Sequence, residues 1–194
     1  GIVEADLVLI ATGVAPVTDY LEGSGVAIDR GVLVDERMRT NLADIWAAGD
    51  VAQARGFFTP ERMLNGILPD AVDQGRVAGM AMAEDPAAKT YAGGVPLNTY
   101  TYFGQEALAV GVHEGALAPA GVEVRKQVDA KTNQYLKIVL QENRLAGIFG
   151  VNAAFDPGIM WELILRRIDL GEDKLAFLRA PRETARALMS KHWR

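Results

Sequence analysis

The sequence contains no cysteine, only two histidines and no apolar run of membrane-spanning length. Without cysteine, these residues hold no disulfide, no zinc–thiolate site and no thiol nucleophile. The histidines, His113 and His192, stand far apart without acidic neighbours at ligand spacing, so we expect no metal site. No apolar stretch approaches the ~18 residues of a membrane helix, and we expect no membrane span.

Positive charge is scarce as well. The formal net charge is −5. A nucleic-acid partner would require clustered lysine and arginine, so we expect no nucleic-acid partner. The chain starts without an initiator methionine, a basic leader or a signal cleavage site, which predicts a cytoplasmic protein. Its abrupt start on an apolar, strand-like run suggests a processed chain or a fragment.

What is present suits a soluble globular protein, because 49% of the residues are hydrophobic and 23% are charged. The first 55 residues have an α/β pattern. We expect a strand covered on both faces at 5–13, a shorter strand at 31–35 and a third at 42–48. Gly49 and Asp50 then follow the carboxyl end of that third strand.

A helical segment follows these strands. Thr59, Pro60 and Glu61 form a good helix start signal, but Pro69 interrupts the pattern, so the main helix is expected from about Asp70 to Ala83. Residues 84–96 are rich in Pro, Gly and Ala and separate two kinds of periodicity. We therefore expect two domains, at residues 1–90 and 91–194.

The second part alternates with period two and predicts an antiparallel sheet. Its clearest unit is a hairpin over 134–151 that turns at Glu142 and Asn143. A helix is expected to begin at Asp156, as cap, with Met160, Leu163, Ile164 and Ile168 on one stripe. Another is expected at about Arg182 to Lys191. The remaining expected strands lie within 97–104, 106–112 and 122–128. Strands followed by helices favour an α+β domain.

The motifs of several familiar chemistries are incomplete or missing. Gly23-Ser24-Gly25 begins a dinucleotide-type glycine pattern, but Ile28 occupies the third glycine position. The sequence has no G-x-S-x-G elbow and no P-loop. The pattern therefore favours neither a serine hydrolase nor a P-loop nucleotide-binding protein.

Asp50 is the candidate functional residue. An acid at the carboxyl end of an apolar strand in an α/β layer points into the crevice where such sheets bind ligands. An ionised carboxylate accepts hydrogen bonds and donates none, which suits a hydroxyl-rich ligand. The backbone N–H groups after Asp50 could meet an anionic or carbonyl-bearing ligand. Local capping of the following segment explains the spacing equally well.

The residues around Asp50 resemble those of the pyridine nucleotide-disulfide oxidoreductase superfamily. "ADLVLIATG" is similar to the A-x-G stretch that closes the NAD(P)H-binding region of these flavoproteins. "GVLVDERMRTNLADIWAAGDVA" is similar to the segment that returns to the FAD domain. The matching positions are Gly31 to Asp35, Thr40, Ile45 to Ala47, Gly49 and Asp50.

The resemblance implies FAD and NAD(P)H as cofactors, and implies that Asp50 holds the ribityl hydroxyls of FAD. It places the N–H groups of Val51 and Ala52 near the pyrimidine side of the flavin, and it assigns Gly49, Thr12 and Gly13 to the cofactor-binding region. The fold implied is a partial FAD/NAD(P)-binding α/β domain followed by an α+β carboxyl-terminal domain with an antiparallel sheet and helices. No catalytic acid or base is expected in this segment.

The likeness covers nearly the whole chain and is closest to the NADH-rubredoxin reductase and nitrite reductase branch. Gln74 and Gly79 are landmarks of the helix that follows the aspartate, and residues beyond 96 are similar to the third domain, which often contributes to dimers. Two features depart from the family: Val14 and Val17 replace its Arg and Asn, and the amino-terminal flavin fingerprint is absent.

The expected function is therefore that of the carboxyl-terminal part of an FAD-dependent NAD(P)H oxidoreductase, with an unidentified electron acceptor. Its partners would be the missing amino-terminal nucleotide-binding part and, in a homo-oligomer, a second copy. The alternative is a non-catalytic module that pairs with itself or with another protein.

Overall fold

A computed structural model describes residues 1–192, which form two sheets and four α-helices. The first sheet is small, with strand order β1-β2-β3; β1 and β2 are parallel, and β3 is antiparallel to β2. Its strands are β1 (Val32–Leu33), β2 (Ala52–Arg55) and β3 (Arg62–Met63). Helix α1 (Leu68–Met82) packs beside it.

The second sheet is fully antiparallel and has the order β4-β5-β8-β7-β6. Its strands are β4 (Leu97–Tyr102), β5 (Gln105–Gly111), β6 (Val122–Asp129), β7 (Gln134–Gln141) and β8 (Arg144–Val151). The helices that follow are α2 (Pro157–Leu165), α3 (Lys174–Arg179) and α4 (Pro181–His192). Period-two alternation along these strands lets one face of the sheet bury its apolar side chains against the helices.

Two separate hydrophobic cores result. The first is small and joins the first sheet to α1; it contains Val32, Val34, Met38, Ala52, Ala54, Val77, Ala78 and Tyr91. The second is larger and lies between the five-stranded sheet and α2, α3 and α4, with Ile138, Ile148 and Met160 fully buried. Phe57, from the loop after β2, belongs to this second core.

The strand predictions for the first 55 residues are only partly confirmed. Residues 31–35 contain β1, as expected. Residues 5–13 form no strand, and Leu9 is 85% exposed. A strand covered on both faces needs neighbouring strands and helices, and the part of the chain that the structure describes supplies none to this segment.

The strand predicted at 42–48 is wrong. Residues 41–44 form a turn in which Asp44 has a φ of 63°. Thr40 N–H donates to the carbonyl of Ile45, and Ala47 N–H to that of Met38, so the segment folds back in a tight loop. Asp50 therefore does not follow a strand but directly precedes β2.

The helix start predicted at Thr59 is also wrong. The Thr59 hydroxyl accepts a hydrogen bond from Glu61 N–H, and Gly56 N–H donates to the Glu61 carbonyl, so these residues close the β2–β3 turn. The helix itself is confirmed with slightly earlier bounds, as α1.

Predictions for the second part are largely confirmed. The five strands, the turn at Glu142 and Asn143, and α4 lie where the sequence placed them. Asp156 is the N-cap residue of α2, but within residues 1–192 its carboxylate makes no cap hydrogen bond and pairs with Arg186 at 3.2 Å. Helix α3 was not predicted. Ile168 lies beyond the end of α2 and is half-buried.

Candidate functional site

Asp50 lies in a single turn of 3₁₀ helix, Gly49–Val51, that leads into β2. Gly49 has a φ of +80°, a conformation that only glycine adopts without strain. Its N–H donates a hydrogen bond of 2.8 Å to Oε1 of Gln74 on α1. The turn is therefore attached to the helix by a side chain as well as to the sheet by the main chain.

The Asp50 carboxylate is exposed and faces Gly66 at the loop before α1. A Cβ atom at Gly66 would lie 3.5 Å from Cγ of Asp50, at ordinary van der Waals contact with the carboxylate. Among residues 1–192 the carboxylate has no hydrogen-bond partner, which disagrees with the alternative that Asp50 caps the following segment. The acceptor oxygens are available to hydroxyl groups of a ligand.

The remaining predicted residues fall into two groups. Val51 and Ala52 continue the turn, and the Ala52 N–H donates to the carbonyl of Gly49. Thr12 and Gly13 lie in the exposed segment, where a Cβ atom at Gly13 would meet nothing within 4 Å. The structure thus brings Gly49, Asp50, Val51 and Ala52 together but not Thr12 and Gly13.

A buried polar cluster lies behind the turn. Asn65 Nδ2 donates to Oδ2 of Asp70 in the first turn of α1. Burial raises the pKa of Asp70 to about 6, partly opposed by the hydrogen bond from Asn65. Burial, and then the charge of Asp70, raise the pKa of Tyr91 above its ordinary value. The Tyr91 hydroxyl interacts with Asp70 and Gln74, although in the described chain it lacks a partner at good hydrogen-bonding geometry.

Sequence reasoning missed this cluster. Gln74 was noted only as a landmark of the helix, and Asp70 only as its first residue. The available signal was an acid directly after Pro69 in a segment otherwise rich in small residues.

An open groove of about 810 Å³ lies elsewhere, beside β1 and β2. Both arginines and acids line it, among them Arg30, Asp35, Arg55 and Glu61, and Asp50 is not part of it. The turn that carries Asp50 therefore lies outside this groove.

Comparison with known proteins identifies the family. Residues 1–85 match the model of the pyridine nucleotide-disulphide oxidoreductases, which confirms the predicted resemblance to this family. It is 54% identical, over 98% of its length, to the NADH-dependent phenylglyoxylate dehydrogenase subunit epsilon of Aromatoleum evansii. It is also 36% identical to the NADH-rubredoxin oxidoreductase of Clostridium acetobutylicum, over 43% of this chain and 21% of that protein.

A solved structure has the same fold. A FAD-dependent pyridine nucleotide-disulphide oxidoreductase from Desulfovibrio vulgaris superposes with a TM-score of 0.67 over 97% of this chain, at 23% identity. The chain spans 49% of that structure and 45% of the phenylglyoxylate dehydrogenase subunit. The predicted family and fold class are confirmed, and the family supports FAD and NAD(P)H as cofactors. Within residues 1–192, none of the helices is both long and apolar enough to cross a membrane.

Proposed function

We propose that this chain is the carboxyl-terminal part of an FAD-dependent NAD(P)H oxidoreductase and that Asp50 anchors the flavin. The observation that carries the proposal is the exposed Asp50 carboxylate, which lies on a turn fixed by Gln74 and has no partner among the described residues. FAD, when bound, accepts a hydride from the nicotinamide and passes electrons to an acceptor.

The residues of the turn fit a ribityl chain. Asp50 offers two acceptor oxygens to its hydroxyl groups, and Gly66, the neighbour of the carboxylate, has no side chain. Val51 and Ala52 would border the isoalloxazine ring. Thr12 and Gly13 would join the site only when their segment is paired with the rest of the protein.

Two exposed apolar surfaces support an amino-terminal partner for this chain. The strand-like segment at 5–13 is unpaired. One side of α1 is also exposed and apolar or small, with Leu68, Val72, Gly75, Gly79 and Met82 at helical spacing. Apolar surface of this extent is normally covered in stable proteins. We propose that the missing flavin-binding part packs against both surfaces.

The name of the Aromatoleum evansii relative extends the proposal. That protein is a subunit of an NADH-dependent dehydrogenase, so we propose that the parent of this chain exchanges electrons with another subunit and uses NADH. Homo-oligomerisation and a cytoplasmic location stay predictions of the sequence.

Flavin content of the full-length protein tests the anchor. Asp50→Ala should weaken FAD binding by about 10- to 100-fold, because hydrogen bonds to a charged group contribute about 1.5–3 kcal/mol. Asp19→Ala is the matched control, since Asp19 is also an exposed aspartate in a 3₁₀ turn. FAD affinity is measured by a titration that follows the flavin absorbance at about 450 nm. Equal affinities of Asp50→Ala and wild type would contradict the proposal.

The alternative, a non-catalytic interaction module, is favoured by one observation. The hairpin between β4 and β5 exposes Tyr100, Tyr102 and Phe103, the last with 97% of its surface accessible. Aromatic side chains in such a position are typical of protein interfaces. A full-length protein that binds no flavin but associates through this hairpin would support the alternative.

A further inference from the structure

One buried side chain of α1 makes a hydrogen bond to the turn that carries Asp50. Gln74 is 2% exposed, and its Oε1 accepts the hydrogen bond from Gly49 N–H. The other end of its amide lies beside the phenol of Tyr91. Because Gln74 is buried and accepts this hydrogen bond, it restricts the position of the Gly49 peptide relative to α1.

Val51 of the same turn also packs against the first core, which includes Val77 and Ala78 of α1, but among the described residues Gly49 and Asp50 make no such contact. Gly49 has no side chain, and a Cβ there would meet only Cβ of Ala71, at 3.6 Å. Asp50 is exposed. Without the Gln74 acceptor, the Gly49 N–H would lose its partner, and the carboxylate one residue later would sample a wider range of positions.

We propose that Gln74 is a positioning residue for the flavin site: by fixing the Gly49–Val51 turn, it keeps the Asp50 carboxylate aimed at the bound ribityl chain. This inference rests on the proposed role of Asp50. Gln74 does not contact the ligand and acts only through the turn. Gln74 therefore contributes to the affinity for FAD by restricting the motion of the Asp50 carboxylate.

The chain offers a matched control in Gln53, which is 4% exposed. Its Oε1 accepts from the N–H groups of Arg30 and Gly31, at 3.0 and 3.2 Å, and its Nε2 donates to Asp29. Gln53 is thus a second buried glutamine that tethers backbone N–H groups; it lies in β2, and the loop that it tethers, around Arg30 and Gly31, does not carry Asp50. Its replacement measures the general cost of losing such a tether.

The experiment uses the full-length protein with Gln74→Met and Gln53→Met, because methionine keeps length and helix propensity but lacks the acceptor. Gln74→Met should raise the FAD dissociation constant about threefold to tenfold, as expected for one lost hydrogen bond. Gln53→Met should change it less than twofold. Both substitutions should lower the melting temperature, so a loss of stability alone cannot explain a difference between their FAD dissociation constants. If Gln74→Met does not fold, Gln74→Asn replaces it, since its shorter amide does not reach Gly49.

A double-mutant cycle separates this inference from the proposed function. In the Asp50→Ala background, Gln74→Met should have no further effect on FAD affinity, because the anchor that it positions is gone. Full additivity, or equal losses for Gln74→Met and Gln53→Met, would overturn the positioning role and leave the anchor intact. A wild-type affinity in Asp50→Ala, or a full-length protein without flavin, would overturn the proposed function and this inference with it.

Discussion

At the scale of the residue, Asp70 makes the stability of the protein depend on pH. Burial raises its pKa from the ordinary value of 3.8 to about 6 in the folded protein. Above pH 6 the folded protein must hold a buried charge. As the pH falls from 6 towards 4, the folded protein binds a proton that the unfolded chain does not yet bind, so this contribution to stability rises, by about 3 kcal/mol in total.

Asp70→Asn should therefore stabilise the protein at pH 7.5 and have a much smaller effect at pH 4.5, where Asp70 is already protonated when folded. Denaturant unfolding of both proteins at the two pH values measures this. Asp73→Asn is the control: it removes a carboxylate of the same helix that already pairs with Arg76 at 2.7 Å, and it should not stabilise the protein at pH 7.5. A constant difference between wild type and Asp70→Asn across this range would refute the prediction.

Sequence reasoning selected Asp50 as a candidate, a role that stays a prediction, but it did not identify Gln74 as the side chain bonded to the turn. Asp50 and Gly49 belong to a contiguous, ordered pattern that can be read along the chain. The hydrogen bond from Gly49 to Gln74 joins a backbone group to a side chain 25 residues later. Such a contact depends on how α1 lies against the turn, and no local spacing encodes that.

At the scale of the element, the predictions succeeded where pairing is local. The strands of the second sheet are linked largely by hairpins, so alternation and turn residues specify them. The first sheet depends on distant partners: β1 has two residues and pairs with β2, twenty residues later along the chain. The apolar run at 5–13 has the composition of a buried strand, but the strands that would flank it are not among these residues.

The exposed side of α1 gives a prediction at this scale. Val72 on α1 and Val128 on β6 are 63% and 72% exposed. If the amino-terminal part covers α1, Val72→Lys should destabilise the full-length protein by about 2–3 kcal/mol, because a charge would replace a buried apolar side chain. Val128→Lys, the same substitution at an exposed position of the second sheet, should lower the free energy of unfolding by less than about 0.5 kcal/mol. Equal small effects in denaturant unfolding would show that α1 stays exposed.

At the scale of the whole molecule, the two hydrophobic cores are separate, but a residue next to the first sheet packs in the second core. Tyr91 belongs to the first core and Val95 to the second, so the change of core falls close to the predicted boundary between residues 90 and 91. That boundary stays a prediction. Phe57 crosses it from the other direction, because it follows β2 in the first sheet but packs in the second core.

Phe57 provides the last prediction, on how the two parts are held together. Its ring lies 5.0 Å from that of Phe58 and 4.5 Å from the guanidinium of Arg167, and its N–H donates to the carbonyl of Gly94. Phe57→Ala should destabilise the protein by about 3–5 kcal/mol, as expected for a buried aromatic side chain. Phe103→Ala, which removes the same ring from an exposed turn, should change stability by less than about 0.5 kcal/mol.

The measurement is denaturant unfolding followed by both tryptophan fluorescence and flavin release. Because Phe57 anchors the first part to the core of the second, Phe57→Ala should shift the fluorescence and flavin transitions apart, whereas they coincide when the parts unfold together. Phe57→Leu keeps apolar volume but removes the ring that contacts Arg167. Its stability should lie between those of Phe57→Ala and Phe103→Ala. Wild-type stability of Phe57→Ala would show that the contact between the parts does not depend on this side chain.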